Sequence, residues 1–356
     1  MNIAALLAKA ALTFPARPAI SWGTQLWSDY GALHRAAGSI GRALREDYGL
    51  APGDRVAIAM PNRPEFLEAQ FGIWYAGMVA VLVNSKLHPS EFDYIFENSG
   101  ARVCFTAPEL APELEKLAES SCTLETVISA GSEPYKALLA PAEMACESCA
   151  PEDPAWLFYT SGTTGRPKGA MLSHRNLLVM TLSYFADIDP ISQEDGVLHA
   201  APLSHASGFY GLPHIAKAAN NIIPKSGGFD PEEIFDLLPR YSGVTLFGAP
   251  TMIVRLINHP AIASADLTNL KMIYYGGAPM LVADVEKALD IFGSRLVQIY
   301  GQGEAPMTIS YLPRHFYADR DHPRFAARIA SAGIARTDVQ IRIVDENDTP
   351  LPTGEA

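Results

Sequence analysis

An apolar run that ends in a glycine-rich loop is the feature that most constrains how this chain folds. Leu157, Phe158 and Tyr159 have the side chains of a strand. The residues that follow directly are Thr160, Ser161, Gly162, Thr163, Thr164, Gly165, Arg166, Pro167, Lys168 and Gly169. Glycines let the backbone take positive φ and approach an anion closely, and successive N–H groups then form a nest for phosphate oxygens. We predict a strand that ends in a phosphate-binding loop.

The residues around Lys168 exclude the common P-loop. That motif has glycine before the lysine and serine or threonine after it, whereas Pro167 precedes Lys168 and Gly169 follows it. Lys168 still places a full positive charge beside the loop, and the ring of Pro167 stiffens the approach. The alternative interpretation is a flexible surface loop without a ligand.

Strands and helices alternate along the first half of the chain. Strand-like runs over 55–60, 78–83 and 102–106 are separated by helical patterns over 65–76 and 90–99. This order is typical of an α/β protein with mainly parallel sheets. Ligands of such sheets bind at the carboxyl ends of the strands, which is where the loop after Thr160 lies.

A second α/β layer follows a linker over 134–154. Strands are predicted at 245–247, 272–274 and 296–299, and each precedes a loop that contains glycine. We divide the chain approximately into an α/β unit with the phosphate loop (40–190), a second α/β unit (1–39 with 195–312) and a final segment (313–356). In that segment residues 339–344 alternate strictly, which predicts a half-exposed antiparallel strand, and a turn follows at 345–348.

Composition excludes several classes of protein. Asp and Glu number 39 against 27 Lys and Arg, a net charge of -12, which argues against nucleic-acid binding. No uninterrupted apolar run approaches the length of a membrane-spanning helix, and no secretory signal begins the chain, so we expect a cytoplasmic protein. The pair Cys146 and Cys149 has no second pair to complete a zinc site.

Four further segments resemble motifs of one family, in its order. They are Pro202-Leu203-Ser204-His205, Gly248-Ala249-Pro250-Thr251, Tyr275-Gly276-Gly277-Ala278-Pro279 and Tyr300-Gly301-Gln302-Gly303-Glu304. Together with the loop they resemble the adenylate-forming (AMP-binding) superfamily, which includes acyl- and aryl-CoA ligases, peptide-synthetase adenylation domains and luciferases. The resemblance covers almost the whole chain and implies two similar α/β layers and a small distorted β-barrel.

Two departures from the family pattern are visible. Gly303 stands where the family usually has threonine, so one hydroxyl contact to phosphate is missing or comes from elsewhere. The chain stops at Thr353-Gly354-Glu355-Ala356, which resembles the start of a family segment. We therefore expect a truncated large N-terminal domain, without the C-terminal domain that closes the site and supplies a second lysine. Such a chain would form thioester negligibly.

The resemblance implies a role for each matched residue. Lys168, His205 and Glu304 would be catalytic, and Glu304 would also hold Mg²⁺, which prefers one or two carboxylates with phosphate oxygens. ATP or AMP would contact Thr160, Ser161, Gly162, Thr163, Thr164, Gly165, Lys168, Gly276, Gly277, Ala278, Gln298, Tyr300 and Gly301. The acyl pocket would comprise His205, Ser207, Gly208, Phe209, Gly248, Tyr275 and Met307.

These roles imply an ATP-dependent carboxylic acid–CoA ligase with ATP, Mg²⁺ and CoA as reaction partners. No aspartate lies next to His205, which argues for an uncharged acyl or aryl tail. Fatty acids are the first expectation, and aryl or alicyclic acids the second. The alternatives are an acyl-AMP ligase that loads a carrier protein and a non-catalytic nucleotide-binding module. A homodimer is compatible with the sequence.

Lys168→Ala and Thr163→Ala test the phosphate loop. Each should weaken ATP use by about 1–3 kcal/mol, the scale of a charge-assisted hydrogen bond. The measurement is ATP–pyrophosphate exchange by the full-length protein. Lys116→Ala, outside all five segments, is the control, and unchanged exchange in both loop variants would contradict the assignment.

Overall fold

The computed structural model describes residues 1–160 and 166–355, and within them the chain forms two β-sheets with helices on their faces. The strands are β1 (Pro18–Trp22), β2 (Gln25–Asp29), β3 (Arg55–Ala59), β4 (Val79–Val83), β5 (Val103–Thr106), β6 (Thr126–Ser129), β7 (Pro154–Thr160), β8 (Lys168–Ser173), β9 (Gly196–Leu198), β10 (Asn220–Ile223), β11 (Val244–Gly248), β12 (Leu270–Gly276), β13 (Leu296–Tyr300), β14 (Ser310–Leu312) and β15 (Ile334–Ala335).

The helices join these strands and cover the sheets. They are α1 (Ala5–Thr13), α2 (Tyr30–Glu46), α3 (Pro64–Tyr75), α4 (Pro89–Ser99), α5 (Ala111–Ala118), α6 (Glu133–Leu138), α7 (His174–Asp187), α8 (Ala206–Ala216), α9 (Pro231–Leu237), α10 (Pro250–Asn258), α11 (Val282–Phe292), α12 (Arg314–Ala318) and α13 (Phe325–Ile329), with 3₁₀ turns at Leu238–Arg240 and Pro260–Ser264.

Both sheets are parallel inside and antiparallel at an edge. The six-stranded sheet has the order β6-β5-β3-β4-β7-β8, and only β8 runs antiparallel to its neighbour. The nine-stranded sheet has the order β15-β14-β13-β12-β11-β9-β10-β1-β2, with antiparallel pairs at both ends. The predicted α/β class with mainly parallel sheets is confirmed, and β1 and β2 join the sheet formed by residues 196–335.

Apolar strands and helices explain why the sheets are covered on both faces. All five residues of β4 are buried, as expected for a parallel strand with helices above and below. Helix α3 is buried along its entire length because it lies between the two sheets. Pro64 begins α3 at the first helical position, where the missing N–H costs nothing. Met78, in the connection between α3 and β4, is also buried.

One apolar core joins the sheets into a single body. It combines Ile20 and Ile223 of the nine-stranded sheet with Val56 and Leu82 of the six-stranded sheet. Buried hydrogen bonds add direction to this packing: the Trp74 indole N–H donates to the Ala155 carbonyl at 2.7 Å, and the Tyr30 hydroxyl donates to the Ala219 carbonyl at 2.6 Å. Strands of both sheets therefore end in fixed positions relative to each other.

The last segment differs from its prediction. Residues 339–344 do not form a strand; the only pairing there is a bridge between Val344 and Pro350. Ile341 and Ile343 are 45% and 59% exposed, because no edge of the described chain lies beside them to pair with. The described part of 313–355 holds α12, α13 and β15, and the start of a small β-barrel that the resemblance implies there stays a prediction.

The turn after this segment is confirmed. The Asp345 carboxylate accepts hydrogen bonds from the Asn347 and Thr349 N–H groups at 2.8 and 2.9 Å, and Asp348 has a φ of 61°. The predicted linker is only partly irregular, since α6 occupies its beginning and β7 starts at Pro154. Among the described residues, no helix combines the length and apolar character that a membrane crossing requires.

Gly72→Ala tests the close contact between α2 and α3. A methyl group at this position would lie 2.7 Å from the β-carbon of Ile40, which cannot move without shifting the helix. We expect the free energy of unfolding to fall by about 1–3 kcal/mol, the cost of overpacking a core, although alanine has the higher helix propensity. The control is Gly228→Ala, where no atom lies within 4 Å of the new methyl group. Stability is measured by denaturant unfolding, and a Gly72→Ala variant as stable as the control would contradict the packing argument.

Candidate functional site

The carboxyl ends of six strands from both sheets border one cavity. It has a volume of about 390 Å³ and lies at the ends of β4, β7, β9, β11, β12 and β13. Its wall is formed by Asn84, Phe158, Ala201, Pro202, His205, Ala206, Phe209, Phe247, Ala249, Pro250, Thr251, Met252, Gly276, Gly277, Ala278, Gly301, Gln302, Gly303, Pro306 and Met307. This is the position at which parallel sheets bind ligands.

Seven of the residues predicted from the sequence border this cavity. They are His205, Phe209, Gly276, Gly277, Ala278, Gly301 and Met307. Tyr300 ends β13 beside them and is 43% exposed, so its ring has a free face. Thr160 and Lys168 pair across β7 and β8, directly before and after the phosphate loop. Ser161, Gly162, Thr163, Thr164 and Gly165 lie outside the described residues.

Nine of the predicted residues that the structure describes do not line the cavity. Four of them are Thr160, Lys168, Tyr300 and Glu304, and the other five are Ser207, Gly208, Gly248, Tyr275 and Gln298. Ser207 is buried, and its hydroxyl lies 2.8 Å from Nδ1 of His199. Gly208 packs against the Leu203 backbone carbonyl. Gly248 lies against Ile253, the Tyr275 hydroxyl lies 2.9 Å from the Tyr317 hydroxyl, and Gln298 is the register partner of Leu312 on the neighbouring strand.

His205 lies on the cavity wall at the start of α8. Its Nδ1 lies 2.9 Å from the Ser204 hydroxyl, and its ring packs edge-on against Phe158 at 5.5 Å between centroids. Burial lowers the pKa of His205 below its usual value. The imidazole is therefore neutral near pH 7, and it presents a polar atom without a charge to a ligand in the cavity.

The sequence analysis missed the residue that holds the His205 loop. The Asn62 amide donates to the carbonyls of His199 and Ala201 at 2.7 and 2.8 Å, and its oxygen accepts from the Leu203 N–H at 2.8 Å. Asn62 follows β3, in the other sheet. A buried polar residue just past a parallel strand was the signal that could have identified it.

Two further histidines are structural. His199 lies 3.0 Å from the Asn221 amide oxygen, and burial lowers its pKa to about 4. His214 donates from Nδ1 to the Tyr210 carbonyl at 2.7 Å, and burial lowers its pKa to about 3. Both side chains are fully committed to hydrogen bonds with protein, so they support the cavity rather than line it.

The loop over 301–309 carries Glu304 and Met307 and is tightly closed. The Ile309 N–H donates to the Tyr300 carbonyl at 3.2 Å, and a side chain at Gly301 would lie 2.6 Å from the Ala305 carbonyl. Gly303 touches the end of β7, since a β-carbon there would lie 2.6 Å from the Thr160 side chain. The family's threonine therefore has no room at position 303 unless Thr160 moves.

Glu304 is exposed on this loop. Within 1–160 and 166–355, no group of three or more His, Cys, Asp or Glu side chains is placed to hold a metal ion. The role of Glu304 in holding Mg²⁺ stays a prediction, in which one carboxylate would bind the ion and phosphate oxygens and water would complete its shell.

A cavity at the junction of two mainly parallel sheets, with glycine loops at the strand ends, is typical of α/β proteins that bind nucleotides. The sequence matches the family of AMP-binding enzymes over residues 7–356. The chain therefore belongs to the AMP-binding enzyme family, and the resemblance stated above is confirmed.

Relatives and solved structures agree with this assignment. A feruloyl-CoA synthase from Amycolatopsis sp. is 34% identical over 331 residues, which are 92% of this chain and 63% of the relative. A fatty acid–[acyl-carrier-protein] ligase, ScoC, from Streptomyces coeruleorubidus is 29% identical over 91% of this chain and 62% of its own length. The chain thus spans under two thirds of these relatives.

The fold is that of solved members of the family. The inhibitor-bound N-terminal domain of FACL13 from Mycobacterium tuberculosis has a TM-score of 0.84 at 25% identity, over 98% of this chain and 86% of that one. ATP-bound MatB from Rhodopseudomonas palustris has a TM-score of 0.83 at 27% identity, over 100% of this chain and 69% of that one.

Glu304→Gln tests the metal role. The amide keeps the shape of the side chain but removes the charge that attracts Mg²⁺, so adenylation should fall steeply and recover in part at high magnesium concentration. The measurement is the magnesium dependence of ATP–pyrophosphate exchange. Glu286→Gln, an exposed carboxylate on α11, is the control, and a normal rate with normal magnesium dependence would identify Glu304 as a surface carboxylate.

Proposed function

We propose that the protein activates a carboxylic acid with ATP and transfers the acyl group to the thiol of CoA. The observation that carries this proposal is the single cavity at the joined strand ends. One part of its wall is the narrow backbone strip Gly276, Gly277 and Ala278, and another is apolar, with neutral His205 on the wall. A nucleotide suits the first part and an acid tail the second.

The proposed reaction has two steps. A carboxylate oxygen attacks the α-phosphorus of ATP, the bond to the bridging oxygen breaks, and pyrophosphate leaves with its electron pair. The CoA thiolate then attacks the acyl carbonyl carbon, and AMP leaves. Both reactants of the first step are anions, so the site must offset their repulsion as charge builds up in the transition state.

The chain's own residues account for this requirement. Lys168 would supply positive charge at the β- and γ-phosphates, next to the loop that follows Thr160. Mg²⁺, when bound beside Glu304, would neutralise phosphate charge. His205, held neutral by burial, would border the acid without forming an ion pair, which leaves the carboxylate free to attack. Tyr300, with its exposed ring, would stack on the adenine, an interaction that gives about 1–3 kcal/mol.

The apolar wall favours an acid with an uncharged, aromatic tail. It presents Phe158, Phe209 and Phe247 together with Met252 and Met307, and none of the described residues that line it is Asp, Glu, Lys or Arg. Phe158 and Phe209 stack with 5.3 Å between their ring centroids, and an aryl ring would pack favourably with such an aromatic pair. The relative described as a feruloyl-CoA synthase supports this choice.

Two alternatives follow from the other relatives. A fatty acid would also suit the apolar wall, and a long-chain-fatty-acid–CoA ligase from Bacillus subtilis is 28% identical. Transfer to a carrier protein instead of CoA is the activity in the name of the ScoC relative. Both alternatives keep the adenylation step and the residues proposed for it.

The test is calorimetric titration with hydrolysis-resistant acyl-adenylate mimics. Feruloyl-sulfamoyladenosine should bind more tightly than decanoyl-sulfamoyladenosine, and both more tightly than AMP, since the acyl part adds buried apolar surface. A parallel screen of carboxylic acids for pyrophosphate release identifies the substrate. A comparison of acyl transfer to CoA with acyl transfer to a carrier protein identifies the acceptor.

Two outcomes would count against the proposal. Binding of none of the mimics, with a folded protein, would remove the adenylation function. Tighter binding of the decanoyl mimic would replace the aryl acid with a fatty acid and keep the rest.

A further inference from the structure

A buried arginine reaches the cavity wall from behind. Arg336 directly follows β15, and its side chain is 2% exposed. Its Nε donates to the Asp187 carboxylate at 2.7 Å, one Nη donates to the Met307 carbonyl at 2.8 Å, and the other donates to the Ser183 hydroxyl at 3.1 Å. Each nitrogen of the guanidinium group thus has a protein partner.

The partner carboxylate is equally buried. The Asp187 side chain is 3% exposed, and it also accepts hydrogen bonds from the side chain and the N–H of Thr337. Desolvation opposes ionisation, but the hydrogen bonds from Thr337 and Arg336 outweigh it and lower the pKa of Asp187. The pair is therefore ionised near neutral pH.

Stability alone does not explain such a pair. Removing two charges from water costs much of what their attraction returns, and apolar residues of similar volume often stabilise a protein as well or better. The contact with Met307 suggests another reason, because Met307 is the only one of the three Arg336 side-chain partners that borders the cavity.

Met307 has a backbone conformation that needs support. Its φ is 59°, a value that residues other than glycine rarely adopt. The Arg336 guanidinium group binds the Met307 carbonyl, and the Arg336 N–H donates to the Ile309 carbonyl at 3.1 Å. Arg336 therefore holds the 301–309 loop at two points, one by its side chain and one by its backbone.

Met307 belongs to the apolar part of the cavity. It packs with Ala206 and Met252 against the buried cluster that contains Phe247, and this cluster does not include the Gly276–Gly277–Ala278 strip. A shift of Met307 would therefore alter the wall proposed for the acid first. The backbone of Met307 also packs against Gly301, where a β-carbon would lie 2.4 Å from the Met307 nitrogen.

We propose that Arg336 is a positioning residue that sets the acid-binding wall of the cavity by fixing Met307, with Asp187 at the end of α7 holding the guanidinium group. This inference rests on the proposed function. It assigns to residues outside the cavity the control of which acid fits and how tightly.

The test replaces the ion pair with apolar residues of similar size, Arg336→Met with Asp187→Leu in one variant. The denaturant midpoint should stay near that of the wild type, because the apolar pair keeps the packing. ATP affinity should fall less than mimic affinity, because the Gly276–Gly277–Ala278 strip lies on a separate loop after β12. Feruloyl-sulfamoyladenosine should bind about tenfold more weakly, the effect of losing one charge-assisted hydrogen bond. Amide hydrogen exchange at Met307 and Thr308 should become faster.

The control is a surface ion pair removed in the same way. Arg320→Met with Asp290→Leu eliminates a pair of 2.7 Å whose side chains are 47% and 67% exposed, and it should change none of these quantities. Arg336→Lys is a second variant in case the double variant does not fold. It retains the charge beside Asp187 but lacks the fork that reaches Met307, so it should also bind the mimic more weakly.

The outcomes separate the two proposals. If the wild type binds no acyl mimic, the proposed function fails. If the wild type binds it and the variants bind it equally well, the positioning role is overturned. Equal losses of ATP and mimic affinity, or a fall in the denaturant midpoint without a change in selectivity, would also overturn it, since either result describes a general structural role.

Discussion

Three hydrogen bonds of the Asn62 side chain, two donated and one accepted, join the two sheets at the point where their strands end. They fix the backbone of 199–203 at the end of β9 to the end of β3, and His205 follows within the same loop. The cavity exists because strands of both sheets end at this junction. The shape of the cavity depends on this buried polar contact between the sheets, because buried polar groups need hydrogen bonds of defined direction. The packing of the apolar core is less directional.

Charge is distributed around the cavity in a consistent way. The wall is apolar, and burial keeps His199, His205 and His214 neutral near pH 7. The charged groups proposed for catalysis, Lys168 and Glu304, are exposed outside this wall. An anionic triphosphate would thus meet charge at the mouth, while an uncharged tail occupies the interior. The exception is the Arg336–Asp187 pair, which is buried behind Met307 and fully hydrogen-bonded.

Local patterns predicted most of the fold and part of the site. The runs at 55–60, 245–247 and 296–299 are strands because short, mainly apolar runs with glycine or proline close by are typical of buried strands. The strand predicted at 339–344 is absent, since alternation describes a face but does not supply a partner edge. Ser207 follows one matched motif and Tyr275 begins another, but neither lines the cavity, because position in or near a motif does not determine which side of a strand or helix a residue occupies.

The sequence by itself determined the α/β class, the order of the strands that end in glycine loops, and the family. These properties depend on neighbouring residues, so they can be recognised in one dimension. The tertiary structure alone decided that Asn62 holds the His205 loop and that Arg336 holds Met307, partners 137–141 and 29 residues apart in the chain. Such contacts are selected by the burial of polar groups that must find partners, and the identity of those partners is fixed only when the sheets and loops have packed.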